Sequence, residues 1–137
     1  MNRNKILIVD DDPVIVKTLS MKLESAGYKV LSAVDGSEAI ATTRKEKPSL
    51  ILLDINFPND VGVAWDGFGI IAWLQRIHEG KGITPVIVIS GGEASKYKDR
   101  SLAAGAIAYL QKPINNEEML DLIRKTLSAD ADKPAKA

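Results

Sequence analysis

The chain has 137 residues, a single-domain length, and its 45% hydrophobic and 26% charged residues suit an ordinary globular core. Eighteen Lys and Arg offset eighteen Asp and Glu, so net charge gives no pull toward nucleic acid or a membrane surface. The absence of cysteine excludes a disulfide framework and a thiolate metal site, and no apolar run approaches the roughly 18 residues of a membrane span.

Met1-Asn2-Arg3-Asn4 leads straight into a strand-like run and not into a secretory leader, so a reducing cytoplasm is the expected compartment. Lys5 to Val9 reads as a buried strand. Asp12-Pro13 then starts a helix: Asp caps, and Pro suits the first helical position because its missing N–H would be unpaired there anyway. Val14, Leu19 and Leu23 fall near one face, and Gly27 ends the helix. Lys29 to Ala33 is a second strand, and Asp35-Gly36-Ser37 turns into a helix reaching about Lys45, before Pro48. Leu50 to Asp54 is a third strand. Residues 55–66 read as irregular, with a helix from about Gly67 to Glu79 and a break at Gly80-Lys81-Gly82. Pro85 to Ser90 is the fourth strand, followed by Gly91-Gly92 and a weakly patterned helix from about Ala94 to Ala104. Ile107 to Gln111 is the fifth strand. Asn115 and Glu118 make a capping pair for a last helix that turns Met119, Leu122, Ile123 and Leu127 inward. Residues 129–137 read as a frayed tail, leaving one domain over 1–128.

Strands alternating with helices predict an α/β fold with a parallel sheet covered on both faces. Ligands of such sheets bind beyond the carboxyl ends of the strands. Asp10 and Asp11 follow the first strand, Asp54 ends the third, Ser90 ends the fourth, and Lys112 follows the fifth. These groups therefore gather on one edge. Carboxylates about 4 Å apart repel by roughly 4 kcal/mol at an effective dielectric near 20, so a proton or a cation must join them. An all-oxygen set suits a hard ion, Mg²⁺ or Mn²⁺. Taken singly, each feature has an ordinary explanation: Asp12 is a cap, and a polar residue ends many strands. It is their coincidence at four strand ends that points to function.

Together these segments resemble the receiver domain of bacterial two-component response regulators, over about residues 4–128. The motifs that carry the likeness are Asp10-Asp11-Asp12-Pro13, Asp54-Ile-Asn-Phe-Pro58, Ala104-Gly105-Ala106 and Tyr109-Leu-Gln-Lys-Pro113. The resemblance implies a five-stranded sheet of order 2-1-3-4-5, with Asp54 as phosphoacceptor. Mg²⁺ would be held by Asp11, by Asp10 through water, by Asp54 and by the backbone carbonyl of Asn56. Ser90 would be the switch hydroxyl, Lys112 would pair with the phosphoryl group ahead of a cis bond to Pro113, and Tyr109 would be the aromatic that turns inward on activation. The implied partners are a histidine kinase or phosphotransfer protein, docking on the first helix, and a downstream protein target. That target would meet the face of the 94–104 helix, the fifth strand and the last helix. The product stays on the protein, so this is not a turnover enzyme. No direct nucleic-acid binding by the domain is implied.

The sequence also departs from the family pattern. Asn59-Asp-Val-Gly-Val-Ala-Trp65 lengthens the loop before Asp66-Gly67 and is a candidate flap over the crevice. Ala106-Ile107-Ala108 lacks the acidic pair of one dimerising subfamily, so a monomer or weak dimer is expected. A degenerate receiver, binding partners without phosphate, is the alternative that the insert favours. A haloacid-dehalogenase-like phosphatase would need Asp-x-Asp-x-Thr after the first strand; here Val14 follows Pro13. His78, the lone histidine, reads as a solvated helix end and not as a phosphodonor.

Overall fold

The computed structural model describes residues 4–54, 84–90, 94–112 and 114–132. The helix expected over 67–79, the 59–65 insert, Asn56, His78, Gly91-Gly92 and Pro113 lie outside the described residues.

In chain order the elements are β1 (Lys5–Val9), α1 (Pro13–Ser25), β2 (Lys29–Ala33), α2 (Gly36–Glu46), β3 (Leu50–Asp54), β4 (Val86–Ser90), α3 (Ala94–Ala104), β5 (Ala108–Gln111) and α4 (Asn116–Asp132). The strands form one parallel sheet in the order β2-β1-β3-β4-β5. The order reverses between β1 and β3, which opens a crevice at their carboxyl ends.

The two-residue period of the strands splits the core. Ile6, Ile8, Leu50, Leu52, Ile87 and Ile89 face one side, where Leu19 and Leu23 of α1 and Met119, Ile123 and Leu127 of α4 cover them. Leu7, Val9, Ile51, Leu53, Val86 and Val88 face the other, closed by smaller groups such as Ala39 of α2 and Ala106. Strands buried on both faces have no polar alternation, which is why they read as continuous apolar runs.

The helix starts follow local chemistry. Asp12 accepts a 2.9 Å bond from Val14 N–H with Pro13 in the first turn, and Gly27, at φ 99°, lies just beyond the end of α1. Asp35 accepts from Glu38 N–H at 2.8 Å, while the Glu38 carboxylate accepts from Val34 N–H at 3.2 Å. Asn115 accepts from Glu118 N–H at 3.0 Å, as the sequence pair implies. Asp12→Ala should therefore lower stability by about 1 kcal/mol, a lost cap; a urea midpoint equal to wild type would contradict this.

Two details exceed the sequence expectation. The last helix runs on to Asp132, and α2 ends on Lys47 in a left-handed conformation, φ 50°, where glycine is the usual residue. Lys5 helps to close that end: its Nζ donates to the Glu46 carbonyl at 3.2 Å and pairs with the Glu46 carboxylate at 3.3 Å.

Candidate functional site

The carboxyl edge of the sheet gathers the groups that the sequence placed at strand ends. Asp54 is the last residue of β3, in register with Ile89, and Ser90 ends β4 opposite Gln111. Asp10 follows β1 and Lys112 follows β5. Asp10, Asp54 and Ser90 are buried, while Asp11 is exposed at the mouth.

Backbone bonds fix the two flanking residues. Asp10 N–H donates to the Ala33 carbonyl at 3.0 Å, which ties the end of β1 to the end of β2. Its carboxylate accepts from Asp12 N–H at 2.9 Å. Lys112 N–H donates to the Ser90 carbonyl at 2.8 Å, which ties β5 to the end of β4. The Lys112 side chain then crosses the crevice: its Nζ lies 3.1 Å from Asp54 Oδ2 and 3.8 Å from Asp10 Oδ2.

Carboxylate oxygens of Asp10, Asp11 and Asp54 all lie within 4.8 Å of one another. Lys112 is the one side-chain cation that the described residues bring to this cluster. The electrostatics show the shortfall. Burial, aided by the neighbouring Asp54 carboxylate, pushes the Asp10 carboxyl up to about 6, although Asp12 N–H and Lys112 pull the other way. A buried carboxylate that still favours a proton beside an ammonium is undercompensated. An oxygen-only set with one exposed member open to solvent fits a hard divalent cation that keeps some of its waters.

Tyr109 sits apart from this cluster. It pairs with Val88 in the ladder and packs against the core side that carries Leu7 and Val88. Its hydroxyl oxygen is buried and has no hydrogen-bond partner among the described residues.

Asp10, Asp11, Asp54 and Lys112 are thus brought together. Ser90 stands on the neighbouring strand end, and Asn56 lies outside the described residues. Sequence reasoning treated Asp12 as a cap alone. In the structure its N–H also holds the Asp10 carboxylate, an Asx-type turn that an Asp two residues earlier could have signalled.

Fold and crevice together define a signalling module of the response-regulator type. The model of the response regulator receiver domain matches residues 6–124, and the chain belongs to that family. The DNA-binding dual master transcriptional regulator RpaA of Synechocystis is 38% identical over 90% of this chain and 48% of its own length. Protein PilH of Pseudomonas aeruginosa is 35% identical over 90% of this chain and 98% of its own length. The chain spans about half the length of several curated relatives it matches, RpaA among them. Among solved structures, the CheY-like receiver domain protein of Methanospirillum hungatei superposes with a TM-score of 0.84 at 29% identity, covering 97% of this chain and all 100% of that one. Chemotaxis protein CheY4 of Vibrio cholerae gives 0.79 at 30% identity, covering 91% and 99%. Receiver domains are signalling proteins of two-component systems. Among the described residues no helix is long and apolar enough to cross a membrane.

Proposed function

We propose that this receiver takes a phosphoryl group on Asp54 and relays its presence to a protein partner. The observation that supports the reading is the arrangement of one nucleophilic carboxylate, Asp54, 3.1 Å from a lysine ammonium and beside two further carboxylates. A carboxylate oxygen of Asp54 would attack the phosphorus of the donor. The bond between phosphorus and the donor atom breaks, its electron pair leaves with the donor, and an acyl phosphate remains. Lys112 already contacts the Asp54 oxygen and can follow the charge onto the phosphoryl group. Asp10, Asp11 and Asp54, with the Asn56 carbonyl, would hold Mg²⁺ or Mn²⁺. Such an ion, when bound, neutralises phosphoryl charge and helps to place the group in line. Asp10 is oriented for that by Asp12 N–H and by the Ala33 carbonyl. Ser90, at the end of β4, would meet the phosphoryl oxygens.

The donor is a histidine kinase or a phosphotransfer protein, approaching over the start of α1, whose cap Asp12 borders the crevice. The output partner meets α3, β5 and α4, with the domain itself a monomer or weak dimer that contacts no nucleic acid and works in the cytoplasm. The unphosphorylated binding-module alternative gains nothing from the described residues, because carboxylates, hydroxyl and ammonium are all at the crevice edge. Intact-mass measurement after incubation with acetyl phosphate and Mg²⁺ tests the reading. The expected result is a gain of one phosphoryl mass that EDTA abolishes. No gain, or a gain indifferent to EDTA, would reject it.

A further inference from the structure

We infer that Glu38, in the first turn of α2, is a positioning residue for Asp10 and, through it, for the cation that the crevice would hold. Two hydrogen bonds that share one peptide unit link the two residues. The Glu38 carboxylate accepts from Val34 N–H at 3.2 Å. The carbonyl of the same unit, that of Ala33, accepts from Asp10 N–H at 3.0 Å. A trans peptide is planar, so its N–H and C=O point in opposite directions and turn together. Holding the N–H therefore aims the carbonyl at Asp10. The Asp10 carboxylate is in turn held by Asp12 N–H at 2.9 Å. This chain of contacts runs from an exposed helix start into the buried part of the crevice.

The peptide between Ala33 and Val34 has few other restraints among the described residues. β2 is an edge strand that pairs only with β1, and its last ladder pair is Val9 with Ala33. Ala33 is buried, but the chain leaves the sheet at Val34, whose side chain is 53% exposed and gives little packing anchor. Glu38 is itself well fixed: its N–H donates to Asp35 Oδ1 at 2.8 Å, in the cap that starts α2. Hydrogen bonds on the two sides of one peptide also polarise one another. A metal site loses affinity when the groups that orient its ligands are removed, because a ligand free to turn must be ordered again on binding. The step from Asp10 to the metal rests on the cation site of the proposed function. The step from Glu38 to Asp10 belongs to the metal-free protein and does not.

Glu38→Ala removes the acceptor. In the metal-free protein near neutral pH, the Asp10 amide should exchange about threefold or more faster than in wild type, the size of one exposed hydrogen bond. The rate is read against core amides such as that of Leu52, so that a change in global stability cancels. Mg²⁺ affinity, titrated at about 0.15 M salt, should fall by a similar factor. Glu38→Gln keeps an acceptor oxygen in place and should restore both readouts. Asp35→Ala weakens the same helix start but leaves the Glu38 acceptor, and should leave both near wild type. An Asp10 amide unchanged in Glu38→Ala overturns the inference. Equal effects of Asp35→Ala and Glu38→Ala also overturn it, because the start of α2 as a whole would then be responsible. A Gln variant that behaves like Ala overturns it too, since the charge and not the bond would then matter. A faster amide with unchanged Mg²⁺ affinity overturns the step from Asp10 to the metal. If wild type binds no Mg²⁺, the cation site itself is rejected, and the Asp10 amide alone decides the link from Glu38.

Discussion

Asp54→Asn should remove the whole phosphoryl-mass gain while leaving a folded protein. The amide is nearly the same size as the carboxylate, so the end of β3 can keep its place between β1 and β4. It is a far weaker nucleophile and carries no charge for Lys112 to hold. The substitution also deletes one of the two carboxylates that crowd the buried part of the crevice, so the Asp10 carboxyl should fall back toward its ordinary range. The expected signature is therefore double: no acyl phosphate, and a flatter dependence of stability on pH. Intact mass and urea midpoints across pH measure the two. A phosphoryl gain that persists in the Asn variant would move the acceptor elsewhere.

Stability without metal should fall as pH rises through the range from about 4 to about 6. The Asp10 carboxyl is raised from 3.8 to about 6 in the folded state, chiefly by burial and further by Asp54. Between those values the folded chain holds a proton that the unfolded chain has released. Raising the pH then favours unfolding, and the loss is complete above the folded value. Its size is up to about 3 kcal/mol at 1.36 kcal/mol per unit. Other carboxylates titrate in the same range, so the effect is read as wild type minus Asp10→Asn. Mg²⁺ at pH 7 should restore most of the loss, since it binds the deprotonated folded form. Lys112→Ala should deepen the loss and extend it upward, because Lys112 is what pulls the Asp10 carboxyl down. A difference that grows in favour of wild type as pH rises would contradict this account of the crevice.

Much of the fold was legible because its strands are short, apolar and doubly buried. Ile6 to Val9, Leu50 to Leu53 and Val86 to Ile89 leave no room for a polar alternative, and each run ends abruptly in the polar group that forms the crevice. The caps Asp12, Asp35 and Asn115 are local devices, and their bonds fall where residue type alone puts them. The sheet order was different: it came from the resemblance, since periodicity does not say which strand lies beside which. That the strand-end groups share one edge was legible, but their particular contacts were not. That Lys112 spans Asp54 and Asp10 depends on β5 lying beyond β4, a matter of topology and not of spacing. No motif reports that the hydroxyl of Tyr109 ends up buried, since that depends on packing against strands and loops distant in the chain. The end of α4 was read too short because Asp and Lys near a chain end suggest fraying, although alanine between them favours helix.

The central claim is that Asp54 is the acceptor. Borohydride reduction after treatment with acetyl phosphate and Mg²⁺ would convert an aspartyl phosphate to homoserine, and peptide sequencing by mass would then locate it. The account predicts homoserine at position 54 alone, absent when EDTA is present from the start. Homoserine at Asp10, Asp11 or any other aspartate, or a phosphoryl group stable to borohydride, would contradict it.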